Sequence, residues 1–469
     1  MRLLTGFLIF LLILTACATP APATPTEFTA PTPEAVTLDG TLENSLIVST
    51  WRDGPKGNVL FPLDPASGTA LSGYEPIALG YSSLPVFSPD RQTVAIVSFP
   101  DENTYNGDLL LIDLPTWKVR RLALELRGWV SGMAFSPNGQ QLAIAHGDYH
   151  HKLTMVNIAQ GVIMAQEESD TFISRLKFTQ SSETLMLYKP SVNFTNGLSP
   201  DPPQVFLLDA QKLNTLWSAE LEGVRDGMFP KDETITQPEL YEPGNASYFT
   251  PALTFAPDRD TLYIVHADSE QLTTVDFRTQ KVKTVNIQPK LSWFEQLLSL
   301  DAGVAHAKIA DGTMKQTVIS PDGQFLYVTG VSYASYKDQE GVWQVGQTPL
   351  GLEILQTSDG SRVERMETDA TELSLSPDGR FLYLRHWGDE ITLPWTEIFD
   401  TSSRKLIERK EAFYATPVLL MSGRFLLAST YVSPESKYAE QYHMSILQPS
   451  DLSVLADWVG PDFVYWPTP

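Results

Sequence analysis

From residue 46 to residue 466 the chain repeats one pattern of apolar and polar positions. An apolar run leads into a short polar turn, Ser-Pro-Asp-Gly or a relative, and a second apolar run follows. The copies are VFSPDRQTVAIV at 86–97, AFSPNGQQLAIA at 134–145, KFTQSSETLMLY at 177–188, TFAPDRDTLYIV at 254–265, VISPDGQFLYVT at 318–329 and SLSPDGRFLYLR at 374–385, with a weaker LLMSGRFLLAST at 419–430. Phe87, Phe135, Phe178, Phe255, Ile319, Leu375 and Leu420 precede the turns, at intervals of 43 to 77 residues. The flanking runs are β-branched and aromatic, and nearly continuous in apolar residues, as strands buried on both faces must be. Pro fixes φ, Asp supplies an acceptor and Gly an αL position, so the chain reverses between two strands.

Two further strands follow each pair, as at 152–158 and 162–166 or 271–277 and 281–287, joined by tight polar turns such as 159–161, 278–280, 357–360 and 401–403. The unit is therefore four antiparallel strands, a to d. The shorter intervals match the roughly 40–50 residue period of propeller blades. The expected fold is all-β: a single β-propeller of four-stranded blades spanning residues 44–469. Seven units are complete. Residues 46–51, 58–63 and 69–77 read as strands b, c and d of another, whose a strand comes from 462–466 (DFVYW). That gives eight blades, or seven if the terminal segments form no full sheet.

Leu326-Tyr327-Val328-Thr329-Gly330 after Pro321-Asp322-Gly323 resembles the YVTN-type repeat of bacterial β-propellers, and the Ser-Pro-Asp-Gly turns resemble those of the Tol-Pal system propeller and related WD-like repeats. The Trp-Asp pair of true WD repeats is absent. Such motifs specify blades and leave activity open.

The N-terminus reads differently. Residues 1–16, MRLLTGFLIFLLILTA, join Arg2 to an apolar stretch from Leu8 to Leu14, the layout of a signal peptide and too short for a comfortable membrane span. Leu14-Thr15-Ala16-Cys17 resembles the lipobox of bacterial lipoproteins, which implies cleavage before Cys17 and its acylation. Ala18 stands where aspartate signals inner-membrane retention in lipoproteins of the enteric type. The resemblance thus implies a lipid-anchored, extracytoplasmic protein of the cell envelope, at the outer membrane or cell surface. Residues 17–43 are rich in Pro, Thr and Ala without an apolar period, and read as a tether.

Composition narrows the partners. With 33 Lys and Arg against 56 Asp and Glu, the net charge is −23, which argues against nucleic acid and against a basic lipid-binding patch. Cys17 is the single cysteine, so neither an internal disulfide nor a cysteine zinc site is available. No G-x-S-x-G, H-E-x-x-H, P-loop, C-x-x-C-H or EF-hand pattern appears.

In a four-stranded meander the a–b and c–d turns share one face of the disc, and the b–c and d–a loops share the other. The first set is uniformly short. The second holds the length variation: b–c loops at 100–107, 190–203, 331–349 and 432–442, and d–a insertions at 222–248 and 288–312. Long loops gathered on one side of a rigid scaffold are where binding resides. They carry Tyr105, Tyr149, Phe229, Tyr241, Tyr248, Trp293, Phe294, Tyr333, Tyr336, Trp343, Trp387, Tyr438 and Tyr442, interleaved with acids. Tyr333, Tyr336, Trp343, Trp387, Tyr438 and Tyr442 are the candidate ligand contacts. Residues 290–300, KLSWFEQLLSL, have helix spacing and are expected to cap a groove or the channel mouth. His146, His150 and His151, with Asp148, are the only clustered metal candidates, against a solvated loop as the plain alternative. His266 and His386 end b strands, in position to face the channel mouth. No cofactor is assigned, with Ca²⁺ or a transition metal left open. The expected function is a tethered binding module for a protein, peptide or glycan. A lactonase or other hydrolase with its site in the channel is the alternative, and a scaffold for envelope proteins a third reading.

Overall fold

The computed structural model describes residues 40–50, 58–100, 106–148, 150–191, 201–232, 235, 244–258, 260–288, 311–338, 340–388, 393–431, 442–460 and 463–465, all within a compact unit of residues 37–469. The expected signal segment, Cys17, most of the expected tether, the segment 290–300, and Tyr105, Tyr149, Tyr241, Trp293, Phe294 and Tyr438 lie outside these residues.

The strands form successive four-stranded antiparallel blades around a ring. Blade 1 takes strands b, c and d from Leu46–Thr50, Asn58–Asp64 and Ile77–Ser82, and its a strand from Phe463–Tyr465 at the other end of the chain. Blade 2 is Val86–Phe87, Thr93–Phe99, Asn106–Asp113 and Lys118–Arg127, and blade 3 is Trp129–Phe135, Gln141–Gly147, His151–Asn157 and Val162–Ser169. Blade 4 is Arg175–Phe178, Thr184–Lys189, Gln204–Asp209 and Thr215–Glu220, and blade 5 is Ala252–Phe255, Thr261–Val265, Gln271–Asp276 and Lys281–Asn286. Blade 6 is Gly312–Ile319, Phe325–Lys337, Leu352–Gln356 and Arg362–Met366, and blade 7 is Glu372–Leu375, Phe381–His386, Trp395–Asp400 and Lys405–Glu411. Blade 8 is Ala415–Leu419, Phe425–Tyr431, Tyr442–Leu447 and Val454–Gly460. Blades 1 and 2 are also bridged by the pairs Tyr81↔Phe99 and Ser82↔Ser98, so the sequence-expected d strand at 69–77 is instead a short Thr69–Ala70 pairing followed by Ile77–Ser82.

The core lies between blades. Each apolar cluster joins two neighbours: Leu60 and Leu79 meet Ile96 and Leu110 between blades 1 and 2, and Leu326 and Val328 meet Val265 and Leu272 between blades 5 and 6. Strands b and c are therefore buried on both faces, whereas the outer d strands alternate or are exposed. Each fully buried Leu, Ile or Val is worth about 1.5–3 kcal/mol. Leu42 joins the first cluster, Met421 of blade 8 packs against it, and Glu43 O accepts Ser422 N–H, so the folded body begins no later than Leu42 and the ring closes there.

The Ser-Pro-Asp-Gly turns do more than reverse the chain. Ser88, Ser320 and Ser376 each donate to the Asp two residues on, at 2.5–2.6 Å, and accept the backbone N–H five residues on. The fourth position is left-handed at Gly139, Gly323 and Gly379, and Arg91 and Ser182 bear the same strain without glycine. Each of these glycines also faces the turn proline of the preceding blade: a Cβ would sit 4.0 Å from Pro89 at Gly139, 3.5 Å from Pro257 at Gly323, and 2.4 Å from Pro321 at Gly379. Neighbouring turns thus nest, proline against glycine.

Gly379→Ala should therefore cost at least about 2 kcal/mol, combining left-handed strain with a rigid overlap, and Gly139→Ala only about 1. Denaturant midpoints of the two variants check the order, and an equal loss in both would contradict the nesting.

Candidate functional site

The loop-rich face begins where the b strands end, and the sequences there align: LAIAHG at 142–147, LYIVHA at 262–267 and LYLRHW at 382–387. His146, His266 and His386 occupy one equivalent position. His146 is buried; Nδ1–H donates to Arg127 O at 2.7 Å, and Nε2 accepts from Thr154 Oγ1 at 2.9 Å, which in turn meets Gln166 Nε2 at 2.9 Å. His266, fully buried, meets Thr273 Oγ1 at 2.7 Å, and Thr273 meets Thr284 at 2.7 Å. His386 Nδ1 bonds Asp369 O at 3.1 Å. Ser98 and Lys189 hold the same place in blades 2 and 4, bonding Leu79 O and Asp170. In these blades the position is a staple that ties the b strand to the preceding blade's last strand or to the connection leaving it, whereas blade 6 has Gly330 there.

Both His146 nitrogens are engaged within the protein, its burial holds the imidazole pKa low, and His151 packs edge-on against Phe172, so the described geometry does not gather His146, His150 and His151 around one point. Among the described residues no group of metal-ligating side chains assembles. His266 does not face a channel mouth, being enclosed among Thr273, Ser269 and the backbone of Gly223.

Trp387 follows the staple in blade 7 and is 63% exposed. Its ring stacks on Tyr414 at 3.9 Å between centroids and 24° between planes, and Nε1–H donates to Glu372 Oε1 at 2.8 Å. The Tyr414 hydroxyl donates to Glu372 Oε2, and burial holds that phenol far above its usual pKa. Below lies the Arg385 guanidinium, 5.2 Å from the Tyr414 ring and 3.5 Å from Glu372 Oε2. Guanidinium, phenol and indole form a ladder whose last aromatic face is open to solvent. Sequence reading found Trp387 but missed Glu372, Tyr414 and Arg385, which come from three different strands and connections.

In blade 6 the b strand runs thirteen residues, against five to seven in the other blades, and turns back as Trp343–Pro349. This hairpin carries Tyr333, Tyr336 and Trp343. Tyr333 points inward and donates to Met314 Sδ at 3.3 Å, Tyr336 is exposed, and Trp343 lies under Lys337 and against Gly244. Tyr442 opens the c strand of blade 8. The insertion at 222–248 supplies Gly227–Pro230 and part of Ala246–Thr250, and the latter pairs in parallel with the a strand of blade 6, on the axial edge of the sheet.

Under that insertion a cleft of ≈ 640 Å³ separates blades 5 and 6. Arg225 pairs with Asp268 at 3.4 Å, Arg365 with Glu353 at 3.8 Å, and Arg362 with both Glu270 at 3.2 Å and Glu353 at 3.1 Å. Lys315 donates to His266 O at 2.6 Å, and burial lowers its pKa. A wall of alternating charges over Phe249, Ile287 and Leu350 suits a ligand bearing both signs and an apolar part.

At the root of the insertion Asp226 is buried and accepts the Tyr188 hydroxyl at 2.8 Å. Burial pushes its carboxyl up to about 6, partly offset by that hydrogen bond and by Arg175.

No protein-family model matches the chain, and no curated protein matches it. Among solved structures, a dihydro-heme d1 dehydrogenase, NirN, in complex with DHE is similar at 11% identity over 92% of this chain and 77% of that one, with a TM-score of 0.51. A eukaryotic initiation factor is similar at 13% identity over 91% and 99%, again with a TM-score of 0.51. The Swd1 β-propeller domain of Myceliophteria thermophila matches at 15% identity over 78% and 96%, with a TM-score of 0.40. The first two likenesses are of fold alone: the chain is a β-propeller.

Asp226 gives a pH prediction. Its folded pKa of about 6 lies above the ordinary 3.8, so the native state binds the extra proton between those values, and stability falls as pH rises through that window. The loss is on the order of 3 kcal/mol once the carboxyl is ionised. Asp226→Asn should flatten the slope and melt higher than the parent at neutral pH, as thermal melts across the window will report. An unchanged slope would contradict the assignment.

Proposed function

We propose that this chain is a lipid-anchored protein of the bacterial cell envelope that binds a protein, peptide or glycan through the loop-rich face of its propeller. The observation that carries the reading is Trp387. An indole left in water gains nothing by being immobilised, yet this one is fixed by a stack on Tyr414 and a hydrogen bond to Glu372. A preorganised aromatic plane spares a ligand the entropy of ordering it, which is how aromatic anchors dominate binding energy. The mixed-charge cleft beneath Arg225 and the blade 6 hairpin support the same face. The anchor rests on the lipobox-like Leu14-Thr15-Ala16-Cys17. Several acyl chains hold a protein to a bilayer stably, since each buried CH₂ is worth about 0.8 kcal/mol.

Two experiments test the two halves. Cys17→Ser should abolish fatty-acid labelling and move the protein out of the membrane fraction; retention of both would refute the anchor. Trp387→Ala should weaken capture of a partner from envelope membranes by about tenfold or more, with the melting temperature little changed. Capture unaffected by Trp387→Ala and by removal of 332–348, together with lactone turnover by the purified protein, would move the activity to the channel.

A further inference from the structure

On the loop-rich face a pocket of ≈ 340 Å³ lies between blades 4 and 5. Four pieces of chain meet there: residues 172–175 entering the first strand of blade 4, residues 190–191 at the end of its b strand, residues 226–228 at the root of the insertion, and residues 248–253 leading into blade 5. The pocket shares no lining residue with the charged cleft between blades 5 and 6.

Its polar groups lack partners. Ser174 Oγ, Ser191 Oγ and Thr250 Oγ1 are each closed off from solvent and make no hydrogen bond, and Ser191 as a whole is only 4% exposed. Buried hydroxyls nearly always have a partner, so three without one around a single pocket point to a ligand that supplies it. One χ1 step moves such a hydroxyl between staggered positions, so each can turn toward a group that arrives beside it. Asp226 gives Oδ2 to the Tyr188 hydroxyl, and among the described residues no hydrogen bond engages its Oδ1. Arg175 is exposed, and its Nη1 donates to Ser174 O at 2.8 Å. Among the described residues no carboxylate stands within ion-pair distance of it. The exposed aromatic residues Phe172 and Tyr248, with Met228 and Leu253, complete the wall.

These groups together select a ligand. A fatty acid would meet Arg175 and the apolar wall but leave the hydroxyls unpaired. A bare phosphate would meet Arg175 and leave the aromatic wall uncovered. A sugar acid meets all of them: its hydroxyls both donate and accept, its carboxylate suits a guanidinium, and its C–H face suits the electron-rich face of an aromatic ring. The volume lies near the lower end of ligand pockets, about 300 Å³, and admits one ring with its substituents. We propose that this pocket binds one pyranose ring bearing a carboxylate, with the sugar hydroxyls on Asp226, Ser174, Ser191 and Thr250 and the carboxylate on Arg175. The site uses neither Trp387 nor the lipid anchor, so it holds or fails apart from both.

The test is a ligand-observed NMR titration of the full chain with three probes: glucuronate, glucose and hexanoate. The expected result is glucuronate binding at least about tenfold tighter than either of the others. Arg175→Leu should bring glucuronate down to the level of glucose, a loss of about tenfold. Ser191→Ala should weaken glucuronate about threefold while the melting temperature holds or rises, because the hydroxyl it removes has no partner in the folded protein. Trp387→Ala should leave glucuronate affinity unchanged. Absence of glucuronate binding would overturn the proposal, and hexanoate binding equally well would overturn it in favour of an apolar anion. Full glucuronate affinity in both Arg175→Leu and Ser191→Ala, or its loss in Trp387→Ala, would place the sugar elsewhere and overturn it as well.

Discussion

Everything in this molecule rests on the apolar seam between one blade and the next. No blade can bury both faces of its b and c strands alone, so Leu142 and Ile144 need Ala95 and Leu111, and Leu382 and Leu384 need Tyr327 and Ile354. A ring of such seams has no free end only if the last blade meets the first. Here that junction is made by covalent economy: Phe463–Tyr465 supplies the inner strand of a blade whose other strands begin at Leu46, so opening the ring also means unzipping a sheet.

Polar devices then fix what apolar packing alone leaves loose. On one face, the nested Ser-Pro-Asp-Gly turns set neighbouring blades at close approach. On the other, the staple residues Ser98, His146, Lys189 and His386 tie b-strand ends to the preceding blade or to the connection leaving it. With both rims fixed, the long loops can diverge without loosening the disc. The loop-rich face carries the exposed indole of Trp387, the charged cleft and the projecting hairpin.

Much of this was legible in the sequence, and the pattern of success has a physical reason. Blade turns and buried strands are local in the chain, so SPDG between apolar runs announces itself, and even the closure by DFVYW followed from counting strands. Sites are not local. Trp387 could be picked out as a loop aromatic, but its supports, Glu372 and Tyr414, are separated from it by one strand on one side and two strands on the other. For the same reason, adjacency of His146, His150 and His151 in sequence says nothing of Thr154 and Arg127, which occupy both His146 nitrogens. Three histidines recurring at one register position, after LAIA, LYIV and LYLR, were the overlooked signal of a structural role. The blade 6 hairpin has the sequence of a long loop because Gly341 and the polar 337–340 mask its pairing.

A ligand is proposed to meet the loop-rich face and not the turn face. Hydrogen exchange of the purified protein with and without added bacterial envelope membranes tests it most directly. Slower exchange is expected with membranes at residues 385–388 and across the cleft at 266–270, with the turns at 88–91, 136–139 and 376–379 unchanged. Protection confined to those turns would contradict it.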